Sequence, residues 1–70
     1  MSDNEILLTT IQAAQFLNRP ARALEAARYR GEGPRYVRLS RSCVRYRKSD
    51  LIAWLDARTV TPADRAAAVA

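Results

Sequence analysis

Two short helical segments separated by only two residues are the strongest constraint on how this chain folds. The first is predicted over residues 10–17, where Thr9 as N-cap and Gln12 three residues later form a capping box. The second is predicted from about residue 20 to residue 30, because Pro20 suits the first position of a helix. Asn18 tolerates the left-handed conformation that ends a helix. A connection this short forces the two helices to cross sharply.

Both predicted helices have one apolar face. The residues at helical spacing that are expected to face the core are Ile11, Ala13, Ala14 and Leu17 in the first helix and Leu24 and Ala27 in the second. The opposite face of the second helix carries Arg22, Glu25, Ala26 and Tyr29. The second helix is therefore expected to pack on one side and to present a polar stripe on the other.

A cluster of helix-breaking residues, Gly31-Glu32-Gly33-Pro34, ends the second helix. Two runs of alternating residues follow at positions 36–39 and 43–47, with a polar tip at 40–42. This pattern predicts a β-hairpin. Because an isolated hairpin is only marginally stable in water, Tyr36 and Tyr46 are expected to pack it against the helices.

A third helix is predicted over residues 50–58, with Ser49 as its N-cap. Leu51, Trp54 and Leu55 form a stripe at helical spacing. Trp54 is therefore expected to pack in the core, although stacking on a nucleic-acid base is an alternative use of an indole ring. The order of elements is helix, short turn, helix, hairpin, helix.

At 70 residues the chain has room for one domain, predicted at residues 7–58. Residues 1–6 are expected to be a flexible leader, and the alanine-rich residues 59–70 a tail that is frayed or helical on a partner. Histidine is absent and Cys43 is the only cysteine, which weighs against a disulfide framework, a multi-cysteine zinc site and an enzyme. We therefore expect no catalytic residues, metal or other cofactor. No apolar run approaches the length of a membrane span, and the first residues lack the pattern of a secretory signal.

The charge is concentrated in the middle of the chain. The net charge is +5, but residues 19–48 contain ten basic and two acidic residues, which gives +8 for that segment. Eleven of the twelve basic residues are arginine, whose planar guanidinium suits phosphates and guanine edges. This distribution predicts a nucleic-acid-binding surface on the second helix and the hairpin. The alternative is the ordinary basic face of a soluble protein.

Four stretches in this order carry a resemblance to a known family: LLTTIQAAQFL at 7–17, RAL at 22–24, RGEGPRYVRL at 30–39 and VRYRKSDLIAWLDAR at 44–58. Together they resemble the MerR-like winged helix-turn-helix proteins of bacteria and mobile elements. That group includes phage excisionases, also called recombination directionality factors, and AlpA-like regulators. The resemblance implies a small α+β fold in which the hairpin is the wing. The chain departs from the family pattern at Asn18, Pro20, Ala27 and Ser40, where glycine, serine, a large residue and glycine are usual.

The resemblance assigns DNA contacts to the second helix and the wing. On the helix, Arg22 is expected to read guanine and Glu25 a cytosine amine, while Ala26 permits close approach and Tyr29 reaches a phosphate or a base. Arg41 at the wing tip is expected to enter the minor groove. The alternatives for Arg22 are a phosphate contact or a solvated side chain, and those for Glu25 are orientation of a neighbouring arginine or a solvated side chain. For Arg41 the alternative is a mobile tip that stays in solvent, and for Tyr29 it is partial core burial.

A larger set of residues is expected to contact DNA phosphates. They are Thr9, Thr10, Arg19, Arg28, Arg38, Ser42, Arg45, Arg47 and Lys48. The two threonines would place backbone N–H groups of the first helix against a phosphate, although helix capping alone explains Thr9.

The function implied is that of an excisionase. Such a protein binds several adjacent sites on double-stranded DNA, bends the DNA and promotes excision of a mobile element by an integrase. Head-to-tail self-association along DNA is expected, and the integrase is a further partner. The implied location is the bacterial cytoplasm, on the nucleoid. The alternatives are a small transcriptional regulator using the same surface, and a protein-interaction module without DNA binding.

Overall fold

The computed structural model describes residues 6–63. In chain order it contains β1 (Leu7–Leu8), α1 (Thr10–Leu17), α2 (Ala21–Tyr29), β2 (Val37–Ser40), β3 (Cys43–Arg47) and α3 (Lys48–Arg58). Within this part of the chain, three helices and one antiparallel sheet form a small α+β fold, which confirms the predicted winged helix-turn-helix architecture. Most of the predicted leader and of the predicted tail, residues 1–5 and 64–70, lies outside the described residues.

The boundaries of α1 follow from the residues that flank it. The Gln12 N–H donates to Thr9 Oγ1 at 3.1 Å, and the Thr9 N–H donates to Gln12 Oε1 at 3.0 Å. The predicted capping box is therefore present. Asn18 ends the helix in the left-handed conformation, with φ 56° and ψ 46°. Pro20 is the N-cap of α2 and not its first residue.

The sheet has a third strand that the sequence pattern does not reveal. Its order is β1-β3-β2, so that β3 is central. On one side β2 pairs with β3 to form the wing hairpin, and on the other side Leu7 and Leu8 pair with Arg47 and Tyr46. A strand of two residues is too short to show an alternating pattern. Its consequence is that the wing is joined through β3 to the start of α1.

The loop after α2 packs directly against that helix. Gly31 and Gly33 both have positive φ angles, 73° and 85°, and the Glu32 N–H donates to the Ala27 carbonyl at 2.8 Å. A Cβ atom built on Gly33 would lie 3.1 Å from the Cβ of Ala27. The small side chain of Ala27 therefore permits the glycine loop to occupy space that a large residue would fill.

The core lies where the two faces of α1 and α2 meet β3 and α3. Its fully buried members are Ala13, Ala14, Leu24, Tyr46 and Leu51. Leu8, Leu17, Ala21 and Val44 pack partly buried against them. The prediction that Tyr46 packs the hairpin onto the helices is confirmed, since its side chain is 1% exposed.

Several expected core residues lie at the surface. Ile11 is 63% exposed, because it lies roughly 110° around α1 from the middle of the face formed by Ala13 and Ala14. Leu55 in α3 is also exposed, and Trp54 is half-buried. Ala13 and Ala14 thus form the face of α1 that contacts the core, and Ile11 lies on another face.

The predicted N-cap of the third helix is wrong. The helix begins at Lys48 with Arg47 as its N-cap and without a side-chain cap hydrogen bond, so Ser49 lies inside the first turn. The reason is that β3 ends at Arg47 and passes into α3 with no connecting residue. Asp50 lies in the first turn, where its negative charge interacts favourably with the helix dipole.

Candidate nucleic-acid interface

An open groove lies between α2 and the wing hairpin, and we call it the wing groove. Its volume is about 580 Å³. It is lined by one residue of α1, three of α2, Tyr36 and five of the wing: Thr10, Glu25, Arg28, Tyr29, Tyr36, Arg38, Arg41, Ser42, Val44 and Arg45. Eight of these are residues for which a DNA contact is expected from the sequence. The tertiary fold therefore brings most of the predicted site to one concave surface.

The polar stripe of α2 is exposed along its whole length. Arg22, Glu25, Ala26 and Tyr29 all lie at the surface. Tyr29 is 93% exposed, so the alternative that it is partly buried in the core is wrong. Within residues 6–63 the ion pairs are Arg30–Glu32 and Arg47–Asp50. Glu25 therefore has no cationic partner in the described part of the chain.

Arg28 links α2 to α1 and to the sheet. Its Nη1 donates to Tyr46 Oη at 3.1 Å and to Thr10 Oγ1 at 3.4 Å. Its guanidinium carbon lies 5.7 Å from the centroid of the Tyr36 ring. The side chain is half-buried, and no carboxylate in residues 6–63 pairs with it. Arg28 thus contributes an uncompensated positive charge at the floor of the wing groove while it holds three elements together.

Tyr36 is a groove residue to which the sequence assigns only a packing role. Its ring centroid is 6.1 Å from that of Tyr46, and the Arg38 guanidinium lies over the same ring at 5.8 Å. Tyr36 therefore lies between two arginines of the site, one from α2 and one from the wing. No local pattern marks this position, because the two arginines are distant from each other in sequence.

The wing arginines are partly held in place by the backbone of the hairpin. Arg38 Nη1 donates to the carbonyl of Arg41 at 3.2 Å, and Arg45 Nη1 donates to the carbonyl of Val44 at 2.8 Å. The strand register is irregular between Arg38 and Ser40, which is the signature of a β-bulge. Arg41 and Ser42 form the exposed turn at the tip.

The remaining predicted phosphate contacts lie outside the wing groove. Thr9 uses its hydroxyl to cap α1. Arg19 lines a different groove on the other side of α2. Arg47 lies 3.7 Å from Asp50, and Lys48 Nζ lies 5.6 Å from the ring centroid of Phe16. None of these four residues lines the wing groove.

The wing groove is electropositive. Four arginines line it, and Glu25 is its one acidic residue. A concave surface with this charge attracts an anionic polymer and aligns guanidinium groups with its phosphates. Glu25 and Tyr29 of the α2 stripe and Arg41 at the wing tip line this groove, whereas Arg22 and Ala26 do not.

A family model described as a helix-turn-helix domain matches residues 7–59, which include all six elements. The chain belongs to this family of DNA-binding helix-turn-helix domains. The match confirms the helix-turn-helix part of the resemblance and the DNA-binding class of function. No curated protein and no solved structure matches the chain significantly. Among residues 6–63 of this helix-turn-helix protein, no helix is long and apolar enough to cross a membrane.

Proposed function

We propose that this helix-turn-helix protein is a MerR-like, sequence-selective architectural DNA-binding protein of the excisionase type. In this role it binds several adjacent sites, bends the DNA and promotes integrase-mediated excision of a mobile element. The observation that carries the proposal is the wing groove, where Glu25, Arg28 and Tyr29 of α2 and the wing arginines converge on one surface with four arginines and one acid. A non-enzymatic role agrees with the family assignment.

In this proposal α2 enters the major groove. Arg22 in its first turn reads guanine through a bidentate contact, which contributes about 1–3 kcal/mol of discrimination between bases. Glu25 accepts a hydrogen bond from a cytosine amine and has no competing cation within the described residues. Ala26 permits close approach to a thymine methyl group. Tyr29, which is fully exposed, reaches the backbone or a base one turn further along.

The wing supplies the second part of the contact. Arg41 enters the minor groove and responds to its width and negative potential, as arginines do at narrow A·T-rich segments. Phosphates are bound by a set of residues at the floor and the edges of the site: Thr9, Thr10, Arg19, Arg28, Arg38, Ser42, Arg45, Arg47 and Lys48. The hydrogen bond from Arg38 to the Arg41 backbone supports this arrangement, because it stabilises the tip before DNA binds.

Bending explains why several copies act together. Bending a site by 40–90° costs of order 1–6 kcal/mol, which is a large fraction of what one small domain gains from binding. Copies on adjacent sites share this cost through contacts with each other and with the integrase. We therefore infer head-to-tail contacts along the DNA and not a closed symmetric dimer.

The test is selection of fragmented genomic DNA from the source organism by the purified protein, at about 150 mM salt so that nonspecific phosphate binding is suppressed. Clustered repeats beside an integrase gene or an attachment site are the expected result. A single site overlapping a promoter would replace excision with transcriptional regulation by the same surface. Absence of enrichment would contradict sequence-selective binding and favour a protein-interaction module.

An arginine at the wing tip and one outside the site make a matched pair for the same assay. Arg41→Ala is expected to lower affinity mainly at sites with an A·T-rich flank. Arg35 is exposed and lies outside the wing groove, so Arg35→Ala controls for the loss of one positive charge. Equal effects of the two substitutions would refute the minor-groove role of Arg41. Circular-permutation electrophoresis on the selected sites measures the bend directly.

A further inference from the structure

A second groove lies on the opposite side of α2, and we call it the flank groove. Its volume is about 460 Å³, which is the size of many ligand and peptide pockets. Leu17, Leu24 and Trp54 form its apolar floor, and Arg19, Arg30 and Arg58 lie along its rim. The helical spacing of α2 places its flank-groove residues about half a turn from those of the wing groove. DNA in the wing groove therefore leaves most of the flank groove open, and of its rim residues only Arg19 is proposed to contact a phosphate.

The rim of the flank groove has an excess of positive charge. Its one acidic residue, Glu32, forms an ion pair with Arg30 at 3.0 Å, and both side chains remain mostly exposed. Arg19 and Arg58 have no carboxylate partner within residues 6–63. The rim thus retains two uncompensated cations beside an apolar floor. A partner that fits it combines acidic with aliphatic side chains.

Trp54 and Arg58 contact each other in the lining of the flank groove. The Arg58 guanidinium lies 4.0 Å from the centroid of the indole ring, and Arg58 Nη1 donates to the Trp54 carbonyl at 3.3 Å. The indole Nε1 is buried and has no hydrogen-bond partner among the described residues. Tryptophan and arginine are enriched among the anchors of protein interfaces. A buried donor without an acceptor is unusual in a folded protein, and an acceptor from a second chain would satisfy it.

We propose that the flank groove binds the acidic N-terminal segment, residues 2–6, of a second copy of this chain. Residues 1–18 contain two acidic residues, Asp3 and Glu5, and no basic one. Ile6 and Leu7, which follow directly, are 46% and 47% exposed. The acidic side chains of this segment therefore complement the rim cations, and its aliphatic side chain complements the apolar floor.

The position of the two surfaces indicates how the copies are arranged. The flank groove contains Leu17 at the C-terminal end of α1, whereas the segment joins the fold at β1, before the N-terminal end of that helix. The two ends of an eight-residue helix are about 12 Å apart. Copies in the same orientation can therefore connect segment to groove in series, which is a heterologous contact. The link to adjacent DNA sites rests on the proposed function, whereas the contact itself does not.

The test uses two complementary double variants of the full chain. Asp3→Asn/Glu5→Gln removes the acidic segment, and Arg30→Gln/Arg58→Gln removes two rim cations to which no DNA contact is assigned. Sedimentation velocity over a concentration series at low salt is expected to show association of the wild type. Each double variant alone is expected to associate at least about fivefold more weakly. Their equimolar mixture retains one intact segment and one intact groove, so it should form a dimer that does not extend.

Three controls keep the result interpretable. Arg35→Gln removes a charge outside both grooves and should associate like the wild type. Circular dichroism checks that each variant is folded. Trp54 is the only tryptophan, so its emission should change with concentration in the wild type and only at higher concentrations in Asp3→Asn/Glu5→Gln.

Three contrary outcomes overturn the proposal in different ways, and a fourth bears only on the proposed function. A wild type that stays monomeric while Asp3→Asn/Glu5→Gln alters Trp54 emission at every concentration would show that the segment binds the groove of its own chain. A monomeric wild type whose Trp54 emission equals that of Asp3→Asn/Glu5→Gln would show that the segment does not bind the groove, and a different protein would then be its partner. Association that neither double variant weakens would place the contact elsewhere. Loss of DNA binding with association intact would refute only the proposed function.

Discussion

Removing the hydroxyl of Tyr46 tests whether Arg28 holds the recognition helix to the wing. Tyr46 is 1% exposed, so Tyr46→Phe keeps the ring in the core and deletes only the acceptor that lies 3.1 Å from Arg28 Nη1. A hydrogen bond to a charged group contributes about 1.5–3 kcal/mol. Arg28 retains Thr10 at 3.4 Å and is half exposed to water, which compensates part of the loss. We expect the free energy of unfolding to fall by about 1 kcal/mol.

The measurement is urea denaturation followed by the emission of Trp54, with Arg28→Met and the double variant completing a cycle. If the hydrogen bond exists, the two single effects are not additive and the coupling is roughly 0.5–1.5 kcal/mol. Affinity for the selected DNA should also fall, because the wing is no longer fixed relative to α2. A coupling free energy of zero would refute the hydrogen bond between Arg28 and Tyr46. Coupling with unchanged DNA affinity would show that Arg28 stabilises the fold without positioning the site.

Five further substitutions, in three comparisons, test the loop, the core and the recognition helix. Gly33→Ala should destabilise the fold by about 1–3 kcal/mol, because it combines a positive φ with a close contact. Gly31→Ala places its methyl group in open space and should therefore cost less, which thermal denaturation of both variants measures. Equal losses of stability would contradict the packing of the loop. Leu51→Ala should lower the free energy of unfolding by about 2–5 kcal/mol, whereas Ile11→Ala should change it by no more than about 0.5 kcal/mol. Chemical denaturation of the two variants compares these effects. Arg22→Ala should lower the preference for cognate over random DNA in competition binding, and an equal loss on both DNAs would make Arg22 a phosphate contact.

Much of the secondary structure follows from signals between neighbouring residues. The capping box at Thr9, the left-handed Asn18 and the glycines after α2 define where α1 and α2 end, and each acts through atoms a few residues apart. The alternation in the hairpin and the concentration of arginine between residues 19 and 48 likewise predict the wing and its charge. These features depend on neighbouring residues or on composition, so they can be predicted from the sequence before the fold is known.

The sequence alone determined the helices, the wing and the basic character of the protein, whereas the tertiary structure decided which of those residues meet. β1 exists because Leu7 and Leu8 pair with β3, and no periodicity within two residues could indicate that. Ile11 is exposed because the core contacts the face of α1 formed by Ala13 and Ala14. Arg28 links α2 to Thr10 and Tyr46 only because tertiary packing brings residues that are 18 positions apart in sequence within hydrogen-bond distance. Contacts of this kind depend on the relative placement of whole elements, which neighbouring residues do not encode.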